Sequence, residues 1–128
     1  MKLRTGLRFK ASEKGNPMNF QDLAIKECRA CKVAKEPLKG PGLDELQKAL
    51  GRGWSLIGQH HLEKLYTFKN FAEALKFTNK IGELAEAQDH HPDIYLAWGK
   101  VKITLWSHSV DGLTESDFVL AAKIEGLN

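Results

Sequence analysis

From Leu43 onward the hydrophobic positions switch repeatedly between a period near 3.6 residues and a period of two, and each switch predicts a change of element. Leu43, Leu46 and Leu50 form a first helical stripe, stopped by Gly51 and Gly53. Residues 54–57 and 62–68 read as a hairpin around Gly58. In its second strand Leu62, Lys64, Tyr66 and Phe68 share one side, with Glu63, Leu65 and Thr67 on the other. Asn70 followed by Glu73 is a capping signal, and Phe71, Ala74, Leu75, Thr78, Ile81 and Ala85 keep helical spacing, with Phe77 and Leu84 widening the stripe. Pro92 ends this long helix, because its ring disfavours helical geometry in the preceding residue.

A second hairpin, 94–98 and 100–107, turns at Gly99. Val101, Ile103 and Leu105 face one way, and Lys102, Thr104, Trp106 and His108 the other. After the Asp111-Gly112 turn, Thr114 and Asp117 form a capping box that opens a last helix through Phe118, Ala121, Ala122 and Ile124. The order helix, strand, strand, helix, strand, strand, helix predicts an α+β class. Its hairpins build a four-stranded antiparallel sheet, with three helices packed on one face.

Residues 1–40 lack such a pattern. Gly15, Asn16, Pro17, Pro37 and Gly40 punctuate them as loop, so the chain is expected to divide into an N-terminal arm, 1–40, and one domain, 41–128. Charge follows the same division. The arm carries ten Lys/Arg against four Asp/Glu, a net +6, while the remainder carries nine against twelve, a net −3. This basic excess has no basic helix, zinc-finger spacing or interleaved aromatics, so nucleic acid is not an expected partner. The first twelve residues read as a solvated tail, with organelle targeting as the alternative and Met18 as an alternative start. With 42% hydrophobic and 27% charged residues, and no apolar run approaching the ~20 residues of a bilayer span, a globular protein with no membrane partner is expected. Two cysteines cannot staple 128 residues, which points to a reducing, cytoplasmic setting.

The chemistry-bearing residues gather late in the chain. The run 86–92, EAQDHHP, places Glu86, Asp89, His90, His91 and Pro92 where a helix gives way to a strand. Glu86 and His90, four apart, share a helical face if the helix extends that far. Imidazole exchanges protons near neutral pH, so this corner suits acid–base work, and His108 at the end of the last strand could converge on it. Polar capping residues would look the same. His60 and His61, beside the Gly58 turn, read as solvent-facing turn and strand residues outside the site. No GxSxG, glycine-rich phosphate loop, dinucleotide fingerprint or HExxH occurs, so neither a covalent nor a cofactor-based mechanism is indicated. Cys28 and Cys31 form a CxxC. It lacks the second pair a zinc site needs and the context of a redox pair, so two semi-buried thiols in a packing arm are expected, with no metal.

Glu86, three residues, His90-His91-Pro92, five residues, Trp98, nine residues, His108, eight residues and Asp117 make up a pattern that resembles the active site of pterin-4a-carbinolamine dehydratases, also known as dimerisation cofactors of hepatocyte nuclear factor. The resemblance extends through KVKITLWSH and DGLT over about residues 43–127, and the CxxC arm is similar to that of many bacterial-type members. It implies dehydration of 4a-hydroxytetrahydrobiopterin to quinonoid dihydropterin, in support of tetrahydrobiopterin recycling, with no cofactor and no metal. His90 and His108 would be the acid–base pair and Glu86 would support a histidine, while His91, Asp89, Pro92, Trp98 and Asp117 would serve substrate binding. Asp117 has a competing duty as the third residue of its helix, and Trp106 is a candidate pocket wall that strand aromatics more often decline in favour of the core. The family also implies a homodimer or homotetramer. The alternative function is a protein-binding scaffold, a transcription coactivator or assembly chaperone on the same fold.

Overall fold

A computed structural model describes residues 17–128; most of the expected tail or targeting segment lies outside the described residues. Two short helices open the described chain, α1 (Phe20–Ala24) and α2 (Ala30–Val33), followed by α3 (Pro41–Leu50). Then come β1 (Ser55–Ile57), β2 (His61–Thr67), α4 (Phe71–Gln88), β3 (Asp93–Ala97), β4 (Lys100–Leu105) and α5 (Glu115–Glu125). The strands form one antiparallel sheet in the order β1-β2-β4-β3. This is the predicted α+β architecture, with a correction in the arm. Residues read as loop contain α1 and α2, whose five and four residues are too short to display a periodic stripe. Asn19 makes up for this locally: its side chain accepts from the Asp22 amide while Asp22 accepts from the Asn19 amide, a reciprocal cap.

Sheet alternation sorts the strands as expected. Leu62 and Tyr66 of β2 pair with Leu105 and Val101 of β4, and with Ile103 they make the inward face. Against it lie Ala74, Phe77 and Ile81 of α4 and the nearly continuous buried surface of α5. A helix with apolar residues on most of its circumference needs cover on most of it. The sheet and α4 cover one side of α5, and the arm covers the other: Leu23 is fully buried and Cys28 nearly so, in the same core. Lys26 pairs with Glu115 at 2.8 Å and Lys123 Nζ donates to the Ala24 carbonyl at 2.8 Å, fixing α1 along α5. Ile25 and Val33 of the same arm are exposed.

Two close approaches set the loops. A Cβ on Gly99 would lie 2.9 Å from the Phe68 carbonyl oxygen, and the residue has φ +69°, so the β3–β4 turn requires glycine. A Cβ on Gly112 would strike Pro37 at 2.6 Å, where Leu38 N–H donates to the Leu113 carbonyl and ties the arm to the segment before α5.

At the other end of α5, one carboxylate oxygen gathers the core's polar atoms. Glu125 Oε2 accepts from Trp54 Nε1 at 3.1 Å, from Lys64 Nζ at 2.6 Å and from the Tyr66 hydroxyl. Burial first, and then this carboxylate, push the Tyr66 phenol well above its ordinary range, so it remains a donor. Truncating Glu125 would leave three donors without their acceptor. Glu125→Ala is therefore expected to lower unfolding free energy by about 2–4 kcal/mol in denaturant titration. Glu125→Gln, which keeps an acceptor oxygen, should lose less, and an alanine variant as stable as the parent would refute the account.

Candidate active site

The site is built where α4 gives way to β3. The helix stops at Gln88 because Asp89 turns left-handed, φ 52° and ψ 43°, and the His90 amide reaches back to the Ala85 carbonyl at 3.2 Å. This turn rotates the two histidines apart. His90 goes inward and is 6% exposed, whereas His91 swings over the helix end, where its Nε2 lies 2.6 Å from Glu86 Oε2. The expected helical pairing of Glu86 with His90 is thus corrected: the helix does not extend to His90, and Glu86 holds His91.

His90 finds a different carboxylate. Its Nε2 lies 2.7 Å from Asp117 Oδ1, and Asp117 has no exposed surface. The other oxygen, Oδ2, accepts from the Ser107 hydroxyl at 2.8 Å and from the Thr114 amide at 2.9 Å. Of the duties read for Asp117 the capping one is carried by one oxygen, while the other oxygen fixes an imidazole. A carboxylate oxygen accepts, so His90 donates through Nε2–H, which leaves Nδ1 as the nitrogen able to exchange a proton. Nδ1 has no hydrogen-bond partner among the described residues, and His90 lines an open cavity of about 260 Å³.

Asp89, His91, Trp106, Ser107, His108, Ser109 and Cys31 line the same cavity. His108 begins a 3₁₀ turn, His108–Val110, and its ring stacks on Trp106 with centroids 3.9 Å apart and planes inclined by 27°. Lys32 of α2 ion-pairs with Asp89 and, through that hydrogen bond and its charge, holds the Asp89 carboxyl below the usual carboxylate range. This tether from arm to rim is charged at neutral pH; the stability it adds is lost as pH falls through the lowered folded-state value.

Four of the expected site residues therefore meet at the cavity: Asp89, His90, His91 and His108. Glu86 stands behind His91 and Asp117 behind His90, where full burial keeps Asp117 from touching a ligand directly. Pro92 leads into β3 without lining the cavity. Trp98, 68% exposed, sits at the β3–β4 turn, five residues of strand or ~16 Å from the β3 end that adjoins the site. The sequence reading left out Cys31 and Ser107, and it kept Trp106 only as a candidate wall. His60 stays in its surface turn outside the cavity, with its side chain 38% exposed, and contacts Trp106 and Asp111. Among the described residues no group of three or more His, Cys, Asp and Glu could hold a metal ion, and no helix is long and apolar enough to cross a membrane.

Fold and site together define an α+β domain with a histidine-lined cavity at the helix-to-strand corner of a four-stranded sheet. The family model for pterin 4 alpha carbinolamine dehydratase matches residues 37–127, and the chain belongs to that family. It is 53% identical over 108 residues to a relative from Rubrobacter xylanophilus, covering 84% of this chain and all of the relative. It is 51% identical over 106 residues to one from Alkaliphilus metalliredigens, covering 83% and 96%. The names of both give pterin-4-alpha-carbinolamine dehydratase as a provisional activity. Among solved structures, a transcriptional coactivator/pterin dehydratase from Brucella melitensis aligns with TM-score 0.66 and 32% identity over 72% of this chain and 98% of its own. A pterin dehydratase-like RuBisCO assembly factor of the alpha-carboxysome aligns with TM-score 0.53 and 26% identity, over 60% and 90%.

The two cysteines differ in burial and in their partners. Cys28 donates from sulfur to the Ser116 carbonyl at 3.6 Å, and burial pushes its thiol up to about 12. At pH 8 Cys28 is therefore held in its protonated, unreactive form. Iodoacetamide at pH 8 should label the half-buried Cys31 in native protein and spare Cys28, with both labelled in denaturant. Peptide mass spectrometry reads the outcome, and equal native labelling would contradict the burial argument.

Proposed function

We propose that the protein is a hydro-lyase that dehydrates 4a-hydroxytetrahydrobiopterin, or a close pterin analogue, to the quinonoid dihydropterin by imidazole acid–base catalysis, in support of tetrahydrobiopterin recycling. The observation that carries this reading is the His90–Asp117 pair at 2.7 Å, which frees one His90 nitrogen in a cavity that His108 and His91 share. Family membership over residues 37–127 supports the substrate class. The division into an arm, 1–40, and a catalytic domain, 41–128, belongs to the same proposal, as does a cytoplasmic location.

The chemistry requires two proton transfers. One imidazolium protonates the 4a-hydroxyl, the C4a–O bond breaks and water leaves, while a second, neutral imidazole takes the N5 proton and the freed electron pair forms the C4a=N5 bond. One histidine ends a proton short and the other a proton richer, and exchange through water restores both. His90, with Nδ1 open, and His108, exposed on the cavity rim, take these roles. His91, oriented by Glu86, binds the pterin, and Asp89 and the Trp106 indole supply a polar and a flat wall. Asp117 is a positioning residue for His90.

A second reading, a protein-binding scaffold, draws support from the coactivator and assembly-factor names of the two structural neighbours. The dehydratase reading is favoured because a scaffold has no use for an imidazole aimed into a cavity by a buried carboxylate. Strands β1 and β3 are open sheet edges, and edges of this kind invite pairing with a second copy, so a homodimer or a tetramer of dimers is part of the proposal.

With chemically generated 4a-carbinolamine in stopped flow, His90→Ala and His108→Ala should each reduce kcat/KM by about 10²–10⁴, against little change for Lys102→Ala on the open sheet face. Activity should survive exhaustive chelation. Wild-type turnover no faster than the uncatalysed reaction would remove the enzyme reading. Light scattering should give a mass above the 14.4 kDa of one chain at micromolar concentration; a monomer would refute the assembly proposal alone.

A further inference from the structure

We propose that His60 is a positioning residue for His108, reaching from the β1–β2 turn to grip the segment that carries it at both ends. The claim deepens the dehydratase reading and rests on it for its catalytic consequence, though not for its geometry. The His108 imidazole has no hydrogen bond among the described residues; what orients its ring is the stack on Trp106 at 3.9 Å. The indole is itself weakly tethered, with Nε1 3.5 Å from Asp93 Oδ2. Its other ring contact is His60, at 4.8 Å between centroids. The backing for His108 thus passes through Trp106 to a residue almost fifty positions away in the chain.

The second grip lies after His108. His60 Nε2 is 2.9 Å from Asp111 Oδ1, and Asp111 is the residue that ends the 3₁₀ turn in a left-handed conformation, φ 51°. His60 Nε2–H donates to this carboxylate, so one imidazole touches the residues on both sides of the His108 turn. The His60 ring is oriented in turn by the neighbouring His61, Nδ1 to Nδ1 at 3.1 Å, and its backbone N–H donates to the Ile57 carbonyl at 2.9 Å. The same segment is closed by reciprocal Ser107–Gly112 backbone hydrogen bonds and held to α2 by the Ser109 hydroxyl, which donates to the Cys31 carbonyl at 2.9 Å.

These contacts lie on the surface, and cutting them leaves the core untouched. They act on orientation, where a displacement near 1 Å in a reacting group can cost ~10²-fold in rate. His60→Ala is expected to lower kcat about tenfold with KM changed less than twofold, because the substrate still meets every cavity wall. Asp111→Ala, which cuts only the second grip, should lower kcat less than His60→Ala, and the double variant should be no worse than His60→Ala, which already cuts both. Asp111→Asn keeps an acceptor oxygen and tolerates the left-handed conformation, so it should restore wild-type behaviour.

A readout independent of turnover comes from histidine ring resonances in NMR. Stacked on the indole, the His108 ring protons should lie upfield. His60→Ala and Asp111→Ala should move them toward the values of an unstacked imidazole, and Asp111→Asn should leave them in place. An unmoved His108 resonance in His60→Ala, or a moved one with unchanged kcat, overturns the inference. If wild-type protein does not dehydrate the carbinolamine, the functional reading falls and the resonances still decide whether His60 holds His108. If wild type turns over and His60→Ala matches it, the inference falls and the functional reading stands.

Discussion

A carboxylate with no contact with water must be matched atom by atom, and Asp117 is that carboxylate. Removing such an ion from water costs several kcal/mol, a sum its partners have to offset. The donors come from three separate parts of the chain: His90 from the α4–β3 corner, Ser107 from the end of β4 and Thr114 from the cap of α5. Satisfying Asp117 therefore fixes the relative placement of a helix end, a strand end and a helix start. The cavity lies among those three ends, so its shape follows from the same requirement.

Sequence patterning was legible where one periodicity governs one face. The α4 stripe and the alternation of β4 were readable because a helix or strand half-buried against a sheet writes its geometry into every third, fourth or second residue. The Glu86–His90 pairing failed for a local reason, the left-handed Asp89, which ends the helix two residues before His90; aspartate tolerates that conformation without announcing it as glycine would. The arm's helices α1 and α2 were too short to show a period. His60 and Cys31 were missed because what matters about them is tertiary, contact with Trp106 and the cavity across long stretches of chain. The family motif marked Trp98 as readily as His108, yet only His108 reaches the cavity, since a motif records spacing and not direction.

The arm is where packing and the site meet. Because α5 is buried on nearly every side, the segment that shields its outer side cannot be dispensable, and that segment places Cys31 on the cavity wall and Lys32 on Asp89. The Cys31 amide donates to the Ser116 hydroxyl at 3.0 Å, one residue from Asp117. A disturbance of α2 would thus reach the cavity twice, once at its wall and once through the first turn of α5. Core coverage and site geometry share the same short helix.

The two imidazoles proposed for proton transfer are held by physically different means. His90 is held from behind by a buried, fully satisfied carboxylate, a contact whose loss strands a charge in the core and unsettles the fold with the site. His108 is held at the surface by a ring stack, worth about 0.5–1.5 kcal/mol, and by a loop whose Asp111–His60 contact, if ionic, is of the exposed kind worth about 0–1 kcal/mol. Substitutions behind His90 therefore confound stability with chemistry. Those behind His108 separate them. The orientation of His108 is also the more easily changed of the two, since each of its weak contacts can be replaced without reopening the core, whereas the Asp117 network admits no partial alteration that leaves all its donors and acceptors paired.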